Sequence, residues 1–306
     1  MGLARTALTV KRSVGGLFAL EDMSVSTGSR IYVSSGTGTD AAGYGSGPDL
    51  PVATLDYAVG LCTANKGDII YLMPGHAESL AAATSAAVDV AGISIVGLGH
   101  GSLIPTFTLI TATTATIAVT AANVRIKNIK VISDLADVAA GITASNAADG
   151  LTIENCIFSD GAAAKELVIG VSLAAACDGC VIRDCLFTTV DGGGCASAIK
   201  LVGESVDTLI ENCVIFGDYS SSGIDGGTAG ATRLRILDNE VRNADATAGL
   251  AIKLHASTTG TVRGNLMLGG KDGTAPIAFA AAFCGQNYYS NAAGASAAIL
   301  APATDA

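Results

Sequence analysis

The sequence contains no tryptophan, and aromatic residues make up only 5% of its 306 residues. Glycan clefts commonly hold sugar rings against aromatic faces, so this scarcity disfavours an extended sugar-binding cleft. The three histidines, His76, His100 and His255, are far apart in the chain and have no obvious partner. No nucleophile motif, phosphate loop or calcium-loop pattern occurs. We therefore predict a protein without a conventional catalytic centre, cofactor or metal ion.

Long hydrophobic runs and a surplus of basic residues are also missing. No run of eighteen apolar residues occurs, so no membrane-spanning helix is predicted. The net charge of −10 disfavours a general nucleic-acid binder, which would present a basic face. The apolar start of the chain is broken by Lys11 and Arg12 and lacks a clear cleavage site, so no secretory signal is predicted. We expect synthesis in the cytoplasm and neither a membrane nor a nucleic-acid partner.

The sequence is rich in repetition. In "LTIENCIF", residues 151–158, a β-branched residue is followed two positions later by Asn and five positions later by a larger apolar residue. The polar residue of this pattern recurs every 26 to 29 residues, at Asn128, Asn155, Asp184, Asn212 and Asp238, with Gly264 in a weaker copy. A second column runs in phase with it, at Ile142, Val171, Ile199, Ile224 and Ile252. Two short strands per period leave no room for a helix inside the repeat.

This period is typical of an all-β fold, the single-stranded right-handed parallel β-helix. Upstream copies at "DIIYL" and "ISIVG" extend the pattern to about eight coils. Asn and Asp suit a fixed corner because they tolerate the left-handed conformation, and their side chains can bond to the next corner. We therefore predict that the five Asn and Asp residues of the pattern form a buried structural corner ladder.

The stretch "RIYVSSGTGTDAAGYGSGPDLPVATLDYAVGLCTANKGDIIYLMPG", residues 30–75, resembles the opening of the right-handed parallel β-helix (pectate-lyase-like) superfamily. The resemblance implies a capping helix at residues 51–63, within a β-helix at 31–275. Residues 1–30 are then an N-terminal arm, and residues 276–306 an Ala-rich tail or second cap. The superfamily includes lyases, glycosidases, viral tailspikes and inert rods, so the resemblance implies little about activity.

Cysteine recurs directly after the corner residue in three successive copies, at Cys156, Cys185 and Cys213. We expect these thiols to point inward as a core ladder in which they act as small hydrophobic groups. The pair in "CDGC", Cys177 and Cys180, could form a zinc site with Cys185 and Cys195, but no second such pair follows at zinc-ribbon spacing. The prediction is a turn containing an incidental pair.

Charges alternate at the outward position before the corner, in the order Lys127, Glu154, Arg183 and Glu211. The second column gives Lys200, Asp225 and Lys253. Such alternation is typical of exposed ion-pair ladders between adjacent strands. A carboxylate beside a Lys or Arg is also what a lyase or glycosidase needs for acid–base catalysis, so this alternative stays open.

The functional prediction is a non-enzymatic structural protein of a virus particle, most like bacteriophage capsid decoration proteins. We expect virion localisation, capsid or other virion proteins as partners, and a homotrimer by analogy with viral β-helices. The candidate contacts with these partners lie in the two terminal segments, at Arg5, Lys11, Arg12, Phe279, Phe283, Tyr288 and Tyr289. A tailspike that binds or cleaves a host polysaccharide is the first alternative, and a cellular lyase or adhesin is the second.

Overall fold

The computed structural model describes residues 28–190, 194–247, 249–269, 277–278, 283–290 and 298–299, together with strands Val10–Arg12 and Phe18–Leu20. The chain forms an all-β parallel solenoid of about seven turns with almost no helix. Three long sheets run along it, and neighbouring strands in each sheet come from successive turns. Strands of successive turns pair in parallel about one repeat apart, which is the geometry that the sequence period requires. The last described strand, Ala298–Ile299, instead pairs antiparallel with Tyr288–Ser290.

The strands of the solenoid fall into three sheets, in each of which a strand pairs with the next one named. Sheet 1 consists of Arg30–Val33, Ile69–Leu72, Ser94–Gly97, Arg125–Lys127, Thr152–Glu154, Val181–Arg183, Leu209–Glu211, Leu234–Leu237, Gly260–Arg263 and Phe283–Cys284. Sheet 2 consists of Ala77–Leu80, Thr106–Leu109, Lys130–Ser133, Ile157–Asp160, Leu186–Thr188, Val214–Gly217, Glu240–Asn243, Leu266–Gly269, Tyr288–Ser290 and Ala298–Ile299. Sheet 3 consists of Ala87–Val88, Ile117–Val119, Ile142–Ala144, Ile169–Leu173, Ser197–Leu201, Ser222–Gly226, Leu250–Leu254 and Ile277–Ala278.

The prediction of two strands per repeat is wrong, because each full turn contributes three. The octapeptide at 151–158 holds a whole strand of sheet 1, Thr152–Glu154, and the start of a sheet 2 strand, Ile157–Asp160. The corner residue Asn155 lies between them with a φ of 52°. A single residue in the left-handed conformation is enough to redirect the chain, so the sequence pattern shows no loop between the two strands.

The core consists of stacks of like side chains. Inside sheet 1, β-branched residues lie in register along nine strands and are nearly or fully buried: Ile31, Ile70, Ile95, Ile126, Ile153, Ile182, Ile210, Ile236 and Val262. Sheet 2 contributes Phe158 and Phe187, whose rings stack with centroids 4.7 Å apart. Branched and aromatic side chains pack well on a pleated surface. Each turn therefore covers the apolar side chains that the preceding turn would leave exposed.

One α-helix, Leu55–Gly60, lies near the start of the described solenoid, and it is shorter than the predicted 51–63. Thr54 caps it by accepting a hydrogen bond from the backbone N–H of Tyr57. The helix buries Leu55, Ala58 and Val59. A 3₁₀ turn follows at Gly101–Leu103. Among the residues described, no helix has the length and apolar character to cross a membrane.

The two terminal segments also contain strands. Val10–Arg12 and Phe18–Leu20 pair antiparallel within the predicted arm. Near the other end, Ile277–Ala278, Phe283–Cys284 and Tyr288–Ser290 continue the three parallel sheets. The predicted end of the β-helix at residue 275 is therefore too early. The register partners of Ile252, Val262 and Met267 in these strands are Ile277, Cys284 and Tyr289. Two of the three differ in residue type from the earlier copies, so the repeat is hard to see in the sequence.

Candidate functional site

The outer face of sheet 1 carries the predicted column of alternating charge. Lys127, Glu154, Arg183 and Glu211 are register partners in four successive strands. Lys127 Nζ lies 2.9 Å from Glu154 Oε1, and Arg183 Nη2 lies 2.9 Å from Glu154 Oε2. Arg183 also approaches Glu211, at 3.9 Å. The strand register thus places opposite charges beside each other.

Glu154 is buried, and in this respect the prediction of an exposed ladder is wrong. The residue is only 4% exposed, because long side chains from the two neighbouring strands cover the carboxylate. Arg125 also donates to it, in addition to Lys127 and Arg183. Burial by itself raises the pKa of Glu154, but hydrogen bonds from Lys127, Arg183 and Arg125 outweigh burial and lower the pKa to about 2.

This cluster can hold charge in place, but it is poorly suited to proton transfer. At neutral pH the Glu154 carboxylate has no proton to give, and both of its oxygens already accept hydrogen bonds. The three cationic side chains are each 41 to 44% exposed. Glu154 itself is almost fully covered, so the exposed parts of the three cationic side chains are what this cluster presents to solvent, with Glu211 and Asp184 close to Arg183. The outer face therefore offers a small cationic patch, which we define as Arg125, Lys127 and Arg183.

The second charged column lies on sheet 3, where Lys200, Asp225 and Lys253 are register partners. Asp225 is only 6% exposed, so the prediction of an exposed ladder is wrong here too. Its carboxylate accepts from the Ser221 hydroxyl at 2.9 Å and from the Gly227 N–H at 3.0 Å. These contacts close the ends of its own strand, which gives Asp225 a local structural role.

The residue that follows each corner residue points inward. In successive turns these residues form first a ladder of cysteines and then a ladder of asparagines. Cys156, Cys185 and Cys213 are at most 2% exposed. The contact with Cys156 raises the pKa of Cys185, and the contact with Cys185 raises the pKa of Cys213. Burial raises both pKa values further. Protonated, buried thiols of this kind are unreactive.

In the next three turns the same column is occupied by Asn239, Asn265 and Asn287, which are 1%, 0% and 0% exposed. The Oδ1 of Asn265 accepts from both the backbone and side-chain nitrogens of Asn239, each at 3.0 Å. Asn287 repeats this contact with Asn265 at 3.0 and 2.9 Å. Sequence reasoning missed this asparagine ladder, although "DNE", "RGN" and "GQN" continue the column.

The predicted corner residues have the expected left-handed backbone, with φ between 52° and 55° in Asn128, Asn155, Asp184, Asn212 and Asp238. Asn155 donates to Asn128 at 3.0 Å, and Asn212 donates to Asp184. The expectation of a buried stack is wrong, because Asn155, Asp184, Asn212 and Asp238 are exposed. A left-handed corner turns its side chain toward solvent, and the next residue occupies the core.

A buried polar cluster near the α-helix was also missed. His76 and Glu78 are 2% and 9% exposed, with His76 Nε2 and Glu78 Oε2 3.1 Å apart. Because the Ser35 N–H donates to Nδ1, the proton of a neutral His76 is on Nε2 and points at Glu78. Glu78 also accepts from the N–H of Leu55 at the start of the helix. The pair thus joins the loop after Arg30–Val33, the helix and sheet 2. The i,i+2 spacing of His76 and Glu78 was its only sequence signal.

A cavity of about 10 Å³ lies behind sheet 2 and includes Asp160, Ser197 and Tyr219 in its lining. The Tyr219 hydroxyl and the Ser197 hydroxyl are buried without a hydrogen-bond partner in the described part of the chain. Cys195 donates to Asp160 at 3.4 Å. Burial raises the pKa of Cys195, and the nearby Asp160 raises it further, so this thiol is a poor nucleophile. A cavity of this size has room for about one water molecule.

The predicted partner contacts are only partly visible. Arg5 and Phe279 lie outside the described residues, and only the backbone strands are described for Lys11, Arg12, Phe283 and Tyr289. Tyr288 is 47% exposed. Together with Arg263, Asp238 and Gln286 it lines an open groove of about 480 Å³. Gly264, the corner residue of this turn, also lines the groove.

The stacked parallel sheets define a β-solenoid, and comparison with known families gives its hand and family. The family described as "Right handed beta helix region" matches residues 108–293. The chain belongs to this right-handed β-helix family. A search of curated proteins found no match.

Comparison with solved structures finds three distant likenesses. A rhamnogalacturonan lyase is 18% identical over 79% of this chain and 68% of its own, with a TM-score of 0.57. A pectin methylesterase from Aspergillus niger is 14% identical over 87% and 86%, with a TM-score of 0.48. The GH136 lacto-N-biosidase from Eubacterium ramulus is 12% identical over 78% and 60%, with a TM-score of 0.45. At these identities the first likeness bears on the fold alone, and the other two carry no argument.

Proposed function

We propose that this chain is a non-enzymatic structural protein of a virus particle, a capsid decoration or cement protein that is attached through its terminal segments. The observation that carries the proposal is that the regularly placed carboxylates are already engaged in contacts within the protein. Glu154 is held by three cationic side chains, and Asp225 by its own turn. Of the groups that would be candidates for acid–base catalysis, Glu154 therefore joins neighbouring strands, and Asp225 has a local structural role. A rod of such strands suits a spacer between two attachment points.

The finer features of the rod belong to the same proposal. We count about eight coils from the sequence repeat and assign the helix Leu55–Gly60 as the cap of the first. Its buried face, Leu55, Ala58 and Val59, supports this assignment because such a face covers apolar residues that would otherwise meet solvent. The exposed Tyr288 supports a contact made by the C-terminal segment. Self-association as a trimer is part of the proposal and rests on analogy alone.

A tailspike or receptor-binding protein that binds or cleaves a host polysaccharide is the second candidate. The cationic patch at Arg125, Lys127 and Arg183 favours an acidic ligand. The groove beside Tyr288 offers an aromatic ring next to the polar groups of Arg263 and Asp238, which suits a sugar ring. The fold likeness to a rhamnogalacturonan lyase is consistent with this candidate but adds no residue-level support.

Particle composition and glycan cleavage together separate the two candidates. Quantitative mass spectrometry of gradient-purified particles is expected to find the chain at a fixed ratio to the major capsid protein, well above its level in the soluble fraction. Incubation of the purified chain with acidic polysaccharides is expected to release no new ends. Absence from particles would contradict the structural proposal. Cleavage that is lost in Glu154→Gln but kept in Glu240→Gln, a change on another sheet, would favour the tailspike.

A further inference from the structure

The loop that joins sheet 3 to sheet 1 after Ile169–Leu173 holds two cysteines side by side. Cys177 and Cys180 are both fully buried, and their Sγ atoms lie 2.8 Å apart. A disulfide bond is about 2.05 Å long, so the sulfurs need to move by less than about 1 Å to form one. We propose that Cys177 and Cys180 are a reversible dithiol–disulfide site, in which oxidation closes the loop covalently.

The loop is held in the shape that brings the two sulfurs together. Gly179, with a φ of 65°, turns the chain between the cysteines. The N–H of Asp178 donates to Asp149 Oδ1 at 2.9 Å, and the N–H of Gly179 donates to the carbonyl of Val206 at 2.8 Å. Asp149 and Val206 belong to the turns on either side, so both neighbours fix the loop. The approach of the sulfurs is therefore set by the backbone of three turns.

The distance between the two sulfurs, 2.8 Å, is what sets this pair apart. Cys177 and Cys180 both have the carbonyl of Ala148 as an acceptor, at 3.4 and 3.8 Å from their Sγ atoms. In the ladder, Cys156 donates to the carbonyl of Glu154 at 3.3 Å, and Cys185 has an equivalent bond of 3.2 Å to Arg183. Cys180 has further carbonyl acceptors at Cys177 and Asp178, 3.6 and 3.8 Å away, so the acceptors alone do not separate the pair from the ladder. The paired thiols crowd each other because their sulfurs lie 2.8 Å apart. A covalent bond between the paired sulfurs removes this crowding.

The oxidation requires a partner disulfide such as that of glutathione. One protein thiolate attacks the small disulfide and releases one thiolate, which leaves a mixed disulfide on the protein. The second protein thiolate then attacks the protein sulfur of that mixed disulfide and releases the other small thiol. Two protein thiols and one small disulfide become one protein disulfide and two small thiols, so two electrons and two protons pass to the small molecule.

Burial makes this exchange slow in the folded protein. The contact with Cys177 raises the pKa of Cys180, and burial raises it further, so little thiolate is present at neutral pH. Access requires the loop to open, and its exposed residues Ala175 and Ala176 give it a route to solvent. We expect oxidation to accelerate at alkaline pH or when the loop is loosened by mild denaturant.

A zinc site at this pair, the alternative raised by the sequence, has no support in the structure. Structural zinc takes four ligands, and no group of three or more His, Cys, Asp or Glu side chains suited to a metal occurs among the described residues. Cys185 lies in the thiol ladder, and Cys195 donates to Asp160. The short distance between the sulfurs therefore favours redox chemistry over metal binding at this pair.

The test is a thiol count on the full chain, which contains eight cysteines. The folded protein is equilibrated with glutathione disulfide, and the exchange is stopped with acid. The protein is then unfolded, its free thiols are alkylated after the pH is returned to neutral, and the peptides are mapped by mass spectrometry. We expect two of the eight thiols to be lost, a single linked peptide joining Cys177 to Cys180, and full recovery after reduction. The oxidised protein is expected to melt about 2 °C higher, because the closed loop is short.

Two variants sharpen the result. Cys177→Ser is expected to abolish both the internal link and the reductant-dependent melting shift. Cys156→Ser removes a buried ladder thiol and is expected to leave both unchanged. If Cys177→Ser does not fold, the peptide map of the unmodified chain decides alone. A full set of eight thiols after equilibration, or links distributed among other cysteines, would overturn the proposal.

Discussion

Replacing Glu154 by Gln is the perturbation that most directly tests the charged face of sheet 1. The amide keeps the shape of the side chain but leaves Arg125, Lys127 and Arg183 clustered without their shared anion. Lowering the pKa of Glu154 from 4.5 to about 2 corresponds to about 3 kcal/mol of favourable interaction in the folded state. The cationic partners are 41 to 44% exposed, so solvent screens part of this, and we expect a loss of about 1 to 3 kcal/mol.

The pH dependence provides a second readout of the same interaction. The pKa of Glu154 is lower in the folded chain than in the unfolded one, so its contribution is complete above pH 4.5. That contribution is lost as the pH falls from about 4.5 towards about 2. Urea unfolding followed by circular dichroism between pH 2 and pH 7 is expected to show this loss in the unmodified chain and a smaller one in Glu154→Gln.

Glu211→Gln is the matched control, because its side chain is 33% exposed and its contact with Arg183 is 3.9 Å long. We expect it to cost less than about 0.5 kcal/mol. If Glu154→Gln unfolds at the same urea concentration as the unmodified chain and keeps the same acid sensitivity, the Glu154 cluster does not stabilise the rod.

The remaining predictions concern the inward and outward columns. Asn265→Ala, measured by urea unfolding, is expected to cost about 2 to 4 kcal/mol because several buried hydrogen bonds lose their partner; a cost below that of an exposed substitution would contradict the asparagine ladder. Asn155→Gly keeps the left-handed corner and loses one exposed hydrogen bond, so a cost under about 1 kcal/mol is expected, and a larger one would mean that the corner is buried after all. Native labelling of Cys156, Cys185 and Cys213 with a thiol reagent is expected to be slow, and rapid labelling of all three would show that they do not face the core.

The parallel β-helix could be predicted from the sequence because its signals are local and repeated. An Asn or Asp recurs where the chain needs a left-handed residue, and a β-branched residue recurs where a strand faces the core. Sheet 3 was partly visible as the second apolar column. The division of the first column into two strands was not visible, because one residue such as Asn155 makes the turn and leaves no gap in the pattern.

Most of the polar contacts could not be predicted, since they depend on which side chains fold over one another. Alternating charge indicated the ion pairs of Glu154 but not its burial, because a third cation, Arg125, comes from two residues before Lys127 on the same face of its strand. The asparagine ladder was hidden by its change of residue type, from Cys213 to Asn239, at the same inward position. Both features require the register of neighbouring turns, which a single repeat does not contain.

The most direct test of the central claim is the occupancy of a truncated chain on particles. Deleting residues 1–27 removes the terminal segment before the first solenoid strand, Arg30–Val33, so circular dichroism is expected to show an intact β-solenoid. In particles assembled with this variant, quantitative mass spectrometry is expected to find little or none of it, whereas the full-length chain is incorporated. Occupancy equal to that of the full-length chain would contradict attachment through the N-terminal arm.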